Sequence, residues 1–373
     1  MKFLKSTIKT SRPTSTKRRK PKSKRVKKRE VFESLSCHPI VKPKVVGEND
    51  NNNNKAPMTT CYNNETLMAL KNAWNEQNPY QRINSDNTTT IWKQLQHFFR
   101  DKCSRESCWL KELDAWIKGV NGREVIKTRF APQSPKSWNR DPHEWLSNFD
   151  IEAVMRQFEQ KYPFFKFIGS SPIDFDASIY EDSKTKARKK KEEDNDDNDD
   201  DDQQQQQQEQ QQHQQQQQHH QQQRRNDCVE NKLCNFNLES YIKKGITKIG
   251  FSFNTDPHDE PGEHWITLFV DIKRKFIFYF DSAGDEIPKE IEVLKNRIVQ
   301  QGKALNPRMH FKFDQNHPVD HQLRDSECGI YSLFFMQSMI EETMDPVKFK
   351  RERNVIRDGE MHKLRKKYFN FKL

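Results

Sequence analysis

The stretch HWITLFVDIKRKFIFYFDSAGD, residues 264–285, predicts a β-hairpin. Two short runs of aromatic and β-branched residues flank the polar segment DIKRK, and nearly every position of both runs is apolar, as is typical of strands buried on both faces. His264 opens the first run and Asp281 closes the second. Because the first residue of one antiparallel strand lies opposite the last residue of the other, we expect these two side chains to be neighbours. The same pairing centres the turn between Ile272 and Lys273.

A neighbouring imidazole and carboxylate can act as a base and the group that orients it. The carboxylate fixes the tautomer of the imidazole and stabilises the imidazolium. Taken singly, His264 is typical of a surface histidine at a strand start, and Asp281 followed by Ser282 is typical of turn chemistry. Because the two residues are expected to be adjacent, a role as a base and its orienter is as well supported as the purely structural interpretation.

The stretch HQLRDSECGIYSLFFMQSMI, residues 321–340, places one cysteine at the start of the most apolar segment of the chain. The pattern predicts a buried helix with Asp325 or Ser326 as its N-cap and Cys328 in its first turn. The N–H groups and macrodipole of a helix start favour a thiolate there. A free cysteine in this position is, in isolation, more often a small buried hydrophobic residue.

Two neighbours of this cysteine favour a functional role. Gln322 lies six residues before Cys328, and its side-chain amide can donate a hydrogen bond to the oxyanion of an acyl transfer, with the backbone N–H of Cys328 as the second donor. Gly329 leaves room for another group to approach the thiol closely. The apolar residues that follow would hold the helix in the core and fix the thiol in place.

The rest of the chain divides by composition. Residues 1–55 are predicted to be a disordered basic tail, because they cannot bury enough apolar surface to offset chain entropy. Residues 56–135 are predicted to be helical, and residues 136–373 to form a second domain that begins with a helix over about 148–162. A disordered charged and polyglutamine insertion at 184–225 interrupts that domain. Helices, then strands, then helices indicate an α+β fold.

The positive charge of the chain is concentrated in its first thirty residues. Residues 1–30 hold fourteen Lys/Arg and one acid, a net charge of +13, whereas the whole chain is +11. This tail has three interpretations: a nuclear localisation signal, a nucleic-acid anchor, or a solvated extension. Its cations would bind DNA with strong salt dependence. No aromatic residues interleave with the basic run, which does not favour base-specific recognition.

Membrane and secretory classes are disfavoured by the hydropathy pattern. No apolar run approaches the roughly 18–20 residues that cross a bilayer. The N-terminal sequence MKFLKSTIKTSRPTS lacks the apolar stretch, roughly 7–15 residues long, of a secretory signal. We therefore expect a soluble intracellular protein with no membrane partner.

The seven cysteines do not follow a disulfide framework. In a reducing compartment we expect them to be mostly free thiols. Cys103 and Cys108, together with Cys228 and Cys234, could be proposed as a four-thiolate zinc site, but their spacings are wider than those of compact zinc sites. The histidines of the polyglutamine tract are attributed to the repeat itself. The sequence therefore predicts no metal site and no cofactor.

Three motifs in a fixed order carry a family resemblance: HW at 264–265, DS at 281–282 and Q-x5-C-G at 322–329. They resemble the cysteine proteases grouped with the adenovirus proteinase and the SUMO-specific proteases. The resemblance implies a permuted papain-like fold and cysteine-type peptidase activity. The implied roles are His264 as general base, Asp281 as its orienter, Gln322 as oxyanion-hole amide and Cys328 as nucleophile.

The segment WLSNFDIEAVM, residues 145–155, extends this resemblance. It is similar to a family segment whose tryptophan, with the tryptophan after the catalytic histidine, flanks a channel that admits only glycines. Here those residues would be Trp145 and Trp265. Two indoles that close over a peptide leave no space for a Cβ atom, which agrees with such a selection.

Within the family, segments such as CSRESCWL, FNTDPHDEPGEHW and DGEMHKLRKKYF resemble the branch found in large cytoplasmic DNA viruses, of the asfarvirus and mimivirus type. The resemblance implies cleavage of a viral structural polyprotein at Gly-Gly-Xaa sites during virion maturation. It also implies a location in the virion and the viral factory of the host cytoplasm, or in the nucleus if the tail is a localisation signal. The alternatives are a SUMO- or ubiquitin-like deconjugating protease and an inactive nucleic-acid-binding virion protein.

Overall fold

The computed structural model describes residues 37–45, 59–103, 105–178 and 228–370. In chain order, the helices and strands are β1 (Lys44–Val45), β2 (Thr59–Thr60), α1 (Asn64–Gln77), α2 (Thr88–Phe99), α3 (Glu106–Glu112), α4 (Gly122–Arg129), α5 (Asn148–Lys161), β3 (Phe165–Pro172), α6 (Asn231–Cys234), α7 (Leu238–Lys243), β4 (Lys248–Asn254), β5 (Trp265–Asp271), β6 (Phe276–Phe280), α8 (Lys289–Ala304), β7 (Lys312–Gln315), α9 (Cys328–Ile340) and α10 (Asp358–Tyr368). Short 3-10 helices cover Lys136–Asn139, Pro346–Lys350 and Glu352–Asn354. The predicted helix over about 148–162 is confirmed.

Helices α1 to α4 share a hydrophobic core. Leu67, Leu70 and Trp74 lie on one face of α1 because they recur at three- to four-residue spacing, and all three are buried. The helix begins where the side chain of Asn63 accepts a hydrogen bond from the backbone N–H of Thr66 at 2.9 Å. The apolar periodicity of this region therefore corresponds to real helices.

Residues 37–45 contradict the predicted disorder of the tail. Cys37 is bonded to Cys61, and β1 pairs with β2 in an antiparallel ribbon. His38 is buried, and its Nε2 lies 3.0 Å from Oε1 of Gln160 on α5. Disorder up to residue 55 is thus wrong for this segment, because contacts distant in sequence hold a stretch whose own composition is too polar to form a core. The predicted segments at 1–30 and 184–225 lie outside the described residues.

Three disulfides contradict the expectation of free thiols. They join Cys37 to Cys61, Cys103 to Cys108 and Cys228 to Cys234. The fold brings the Cα atoms of each pair to 5.5, 5.6 and 6.5 Å, within the range that a disulfide requires, although the sequence spacing shows no framework. The four-thiolate zinc site is also wrong, since its two halves are each bonded internally. Cys328 is the free cysteine.

A mixed sheet in the order β3-β4-β5-β6-β7 forms the centre of the second region. Strands β4, β5 and β6 are antiparallel, whereas the edge strands β3 and β7 run parallel to their neighbours. Helix α8 covers one face through Ile291, Leu294 and Ile298. Helix α9 covers the other face, where the ring of Phe335 stacks on that of Phe280 with centroids 4.7 Å apart. The α+β fold predicted from the sequence is confirmed.

The predicted hairpin is confirmed, but its register differs. Thr267 pairs with Phe280, so the turn is centred between Lys273 and Arg274 and not between Ile272 and Lys273. Relative to the predicted pairing, each residue of one strand faces a partner that lies two positions further along the other strand. Because two is an even number, every side chain stays on the expected face of the sheet. The reason is that Asp271 still belongs to β5 and pairs with Phe276, which leaves residues 272–275 as the turn.

The chain leaves and re-enters this region at one place around the undescribed stretch 179–227. Ser178 and Cys228 pair in an isolated antiparallel bridge.

Across the described ranges, every helix is too short or too polar to span a bilayer.

Candidate active site

His264 and Asp281 lie side by side at one end of the sheet. His264 immediately precedes β5 and Asp281 immediately follows β6. Nε2 of His264 lies 2.6 Å from Oδ1 of Asp281, and that oxygen also accepts the backbone N–H of Ala283 at 2.8 Å. Asp281 is 2% exposed. The carboxylate thus holds the imidazole in one orientation and leaves Nδ1 to face the other way.

Asn316 fixes the backbone of Asp281, and sequence reasoning did not identify it. Its Oδ1 accepts the N–H of Asp281 at 2.8 Å, and its Nδ2 donates to the carbonyl of Asp281 at 2.6 Å. Asn316 is fully buried. It lies one residue past β7, so the β6–β7 pairing brings it beside Asp281; a lone asparagine after a short strand gives no such signal in the sequence.

The environment of His264 favours its protonated form. Burial by itself lowers the pKa of His264, but the hydrogen bonds to Asp281 and Cys328 and the negative charges of both partners outweigh it and raise the pKa to about 10. At neutral pH the imidazole therefore carries a proton. A positive imidazolium beside a cysteine is the arrangement that stabilises a thiolate.

Cys328 is the first residue of α9 and is 1% exposed. Its side chain interacts with His264, and this interaction is one of the causes that raise the pKa of His264. The N-cap of the helix is Glu327 and not Asp325 or Ser326, and no side-chain hydrogen bond caps the helix. The predicted caps are wrong because the helix begins only at Cys328, which makes Glu327 the N-cap residue, and the carboxylate of Glu327 is bound by Arg365. The helix start at Cys328 thus has no side-chain cap on the N–H groups of its first turn.

Gln322 is oriented by Ser282. The hydroxyl of Ser282 donates to Oε1 of Gln322 at 2.7 Å. The carbonyl of Ser282 accepts the backbone N–H groups of both His321 and Gln322 at 2.9 Å. With Oε1 engaged, the amide presents its Nε2 hydrogens on the opposite side, as a donor to an oxyanion must. Ser282 was expected only as turn chemistry.

The tryptophans are linked through the backbone of Leu146. The indole N–H of buried Trp265 donates to the carbonyl of Leu146 at 2.8 Å. Trp145, which precedes Leu146 in the chain, is 43% exposed. A Cβ atom built on Gly329 would lie only 2.9 Å from Cβ of Leu146. The loop that carries Trp145 is therefore packed against the first turn of the Cys328 helix, which requires glycine there.

A buried ion pair supports the segment before Cys328. Nε of Arg365 donates to Oε2 of Glu327 at 2.7 Å, and its other nitrogens donate to the carbonyls of Ser326 at 2.7 Å and Glu144 at 2.6 Å. Both charged residues are at most 1% exposed. The sequence does not indicate this ion pair, because a pattern of charges cannot show which cation is buried.

The second half of the chain matches a known protease family. The model of the Ulp1 protease family, C-terminal catalytic domain, matches residues 175–372, more than half of the chain. The chain belongs to the Ulp1 protease family. It is therefore a cysteine-type peptidase, and the family resemblance carried by the HW, DS and Q-x5-C-G motifs is confirmed.

Viral proteins are among the relatives of this Ulp1-family protease. A thiol protease of Acanthamoeba polyphaga mimivirus is 25% identical over 303 residues, which cover 75% of this chain and 80% of the relative. A SUMO-1 cysteine protease of African swine fever virus is 26% identical over 289 residues, which cover 75% of this chain and 89% of the relative. The crystal structure of an African swine fever virus protease matches with a TM-score of 0.56 and 20% identity, over 91% of this chain and 98% of that one, which shows the shared fold.

Proposed function

We propose that this Ulp1-family protease is a viral endopeptidase that cleaves structural polyproteins after Gly-Gly during virion maturation. The observation that carries the chemistry is the hydrogen bond between Asp281 and His264, together with the interaction of His264 with Cys328 at the N-terminus of α9. The viral setting rests on the relatives from mimivirus and African swine fever virus.

The reaction begins from an ion pair. The Cys328 thiol gives its proton to Nδ1 of His264, and Asp281 holds the imidazolium through Nε2. The thiolate attacks the carbonyl carbon of the second glycine, and the electron pair of the C=O bond moves to oxygen. When this tetrahedral intermediate collapses, the C–N bond breaks and His264 protonates the leaving amine. A thioester remains on Cys328.

Water completes the cycle. His264, now neutral, takes a proton from a water molecule, whose oxygen attacks the thioester carbon. The C–S bond breaks, the product leaves as a carboxylic acid that releases its proton to the solvent, and the thiolate–imidazolium pair is restored. In both steps the oxyanion is stabilised by the amide of Gln322 and the backbone N–H of Cys328. Ser282 acts through Gln322, because its hydroxyl fixes the direction of that amide.

Selection for glycine is assigned to Trp145 and Trp265. Leu146 ties the two residues together, since it follows Trp145 in the chain and accepts the indole N–H of Trp265. Flat aromatic walls on both sides of an extended peptide exclude residues with a Cβ atom. Two successive glycines before the cleaved bond satisfy this condition.

The basic tail would place the enzyme near packaged DNA. Residues 1–30 carry a net charge of +13, which is sufficient for salt-sensitive binding to a polyanion. We assign the protein to the virion and the viral factory of the host cytoplasm, with nuclear entry if the tail is a localisation signal. Deletion of residues 1–30 should abolish salt-sensitive DNA binding and leave peptide cleavage largely unchanged. DNA binding that survives the deletion would place the anchor elsewhere.

A second candidate function is removal of SUMO or a ubiquitin-like protein from its conjugates. It is favoured by the name of the African swine fever virus relatives and requires the same chemistry on a folded substrate. The third alternative, an inactive nucleic-acid-binding protein, has less support because His264 is hydrogen-bonded to Asp281 and interacts with Cys328.

One assay separates these functions. Wild type and Cys328→Ala are incubated with Gly-Gly-Xaa peptides, a viral core precursor and a SUMO precursor, and products are sequenced by mass spectrometry. We expect wild type to cleave the peptides and the core precursor after the second glycine, and Cys328→Ala to cleave nothing. Preference for the SUMO precursor would favour the second function. Cleavage by the variant, or by neither protein, would contradict the proposed chemistry.

A further inference from the structure

A cluster of two histidines and a glutamate lies directly before Cys328 in the fold. Oε1 of Glu327 lies 3.5 Å from Nδ1 of His143 and 3.2 Å from Nδ1 of His362. The two imidazole rings stack with their centroids 4.4 Å apart and their planes 25° from parallel. The residues come from the loop before α5, the N-cap of α9 and the middle of α10. We call them the His-Glu-His cluster.

The separations within the cluster suit a tetrahedral metal ion. Zinc binds imidazole nitrogen and carboxylate oxygen at about 2.0–2.2 Å, so two ligand atoms of a tetrahedral site lie roughly 3.3–3.5 Å apart. The distances from Oε1 of Glu327 to the two ring nitrogens, 3.5 and 3.2 Å, fall close to this range. All three donor atoms lie within 4.8 Å of one another. Two imidazoles and one carboxylate are a common three-ligand set for zinc.

Arg365 prepares Glu327 for this role. It occupies the second carboxylate oxygen, Oε2, at 2.7 Å and leaves Oε1 directed at the histidines. Carboxylates that bind metals are typically held by such a hydrogen bond on the oxygen that does not bind the metal. Glu327 is 1% exposed and its direction is therefore fixed. The cluster has the ligands and the supporting shell of a metal site.

The cluster is open to solvent on one side. A cavity of about 570 Å³ lies against it, lined by Asp141, His143, Glu144, Trp145, Arg324, Asp325 and Ser326. The side chain of His143 is 49% exposed and that of His362 is 34% exposed, whereas that of Glu327 is 2% exposed. A metal ion can therefore enter from this cavity. Because the lone pair of Nδ1 lies in the plane of its ring, the exposed ring of His143 has to turn out of its stack with His362 for both nitrogens to bind one ion.

We propose that the His-Glu-His cluster binds one zinc ion, with Nδ1 of His143, Nδ1 of His362 and Oε1 of Glu327 as ligands. The ion joins the loop that carries Trp145 and the C-terminal helix α10 to the residue before the nucleophile. Its binding stabilises the native fold, since an ion held by three distant segments binds the folded state and not the unfolded one. The inference does not depend on which peptide the enzyme cleaves.

The test uses Cys328→Ala as the parent protein, so that zinc cannot bind the catalytic thiolate. Zinc binding is measured by isothermal titration calorimetry, and the melting temperature is measured with and without zinc at about one hundred times its Kd. We expect one ion per chain and a rise in Tm of about 5 °C. His143→Gln and His362→Gln, each in the parent, should weaken the affinity at least about tenfold and remove most of the Tm rise.

His317→Gln is the matched control. Nε2 of His317 lies 3.4 Å from Oε1 of Glu286. Among the described residues, this histidine–glutamate pair does not belong to a cluster of three metal-binding side chains. This change should leave zinc affinity unchanged. Absence of binding to the parent would overturn the inference, as would binding that survives both His143→Gln and His362→Gln. Equal weakening by His317→Gln would show that zinc binds surface histidines without selection and would also overturn it.

Discussion

The carboxylate of Asp281 lies 2.6 Å from Nε2 of His264, although the two residues do not pair in the register of the hairpin. This contact holds the imidazole through Nε2, and it is one of the causes that raise the pKa of His264 to about 10. The charge state of His264 therefore depends on the buried carboxylate of Asp281.

Replacement of Asp281 should change the pH range of activity. The active form holds a proton on His264, so kcat/KM should fall as pH rises through about 10, where that proton is lost. Asp281→Asn keeps an acceptor oxygen but removes the charge, which should lower the pKa of His264 and move this alkaline limb to lower pH. Asp281→Ala should reduce kcat by roughly 10²–10⁴-fold. An alkaline limb that does not move in Asp281→Asn would contradict this coupling.

The hydrogen bond from Ser282 to Gln322 should matter through orientation. Gln322→Ala removes an oxyanion donor and should lower kcat by roughly 10²–10³-fold. Ser282→Ala leaves the amide in place but free to rotate, so we expect a smaller loss, about tenfold in kcat, with little change in KM. The double variant should be no worse than Gln322→Ala alone. Additive losses in steady-state kinetics would show that Ser282 acts independently of Gln322.

Gly329 should tolerate no side chain. A Cβ atom there would lie 2.9 Å from Cβ of Leu146, so Gly329→Ala should lower the free energy of unfolding by about 1–3 kcal/mol. Gly329→Ala should also raise KM for Gly-Gly peptides, because the carbonyl of Leu146 accepts a hydrogen bond from the indole of Trp265. Gly359→Ala is the control, since a Cβ atom on Gly359 meets nothing within 4 Å. Equal unfolding midpoints in urea for the two variants would contradict the close packing.

The ion pair between Arg365 and Glu327 should be costly to break. Arg365→Met leaves a buried carboxylate without its cation and should reduce the free energy of unfolding by about 3–5 kcal/mol. Lys363→Met is the control, because Lys363 is 66% exposed and lies 3.8 Å from Glu360, an exposed pair worth at most about 1 kcal/mol. Chemical denaturation of both variants measures the difference. A loss from Arg365→Met no larger than that of the control would mean that the pair does not hold the loop.

Local pattern was sufficient to predict the central elements. The apolar runs around DIKRK correspond to β5 and β6, and the three- to four-residue spacing before them corresponds to helices α1, α2 and α5. Strand β3 was not predicted: Gly169 has φ +62° and the register shifts between Phe167 and Ser170, so this strand lacks a regular alternation. A bulge interrupts the two-residue alternation of side chains, so a strand that contains one is not recognised from that alternation.

Features created by tertiary contact could not be predicted from the sequence. The order of residues 37–45, the disulfide between Cys37 and Cys61 and the burial of Arg365 depend on segments that are separated in the chain. The same holds for the His-Glu-His cluster, where the sequence predicted no metal site. Residues at distant positions give no spacing signal, whereas His264, Asp281, Gln322 and Cys328 could be predicted because their order and spacing resemble those of a known family. The disulfides Cys103–Cys108 and Cys228–Cys234 are local, and the expectation of free thiols in a reducing compartment concealed them.

The most direct test of the account is covalent capture of the nucleophile. A Gly-Gly peptide with a vinyl sulfone in place of the cleaved bond is incubated with the enzyme, and the modified residue is identified by mass spectrometry. We expect one adduct per chain, on Cys328, formed much more slowly in His264→Ala and absent in Cys328→Ser. An adduct on another residue, or one that persists in Cys328→Ser, would contradict the assignment of Cys328 as the nucleophile.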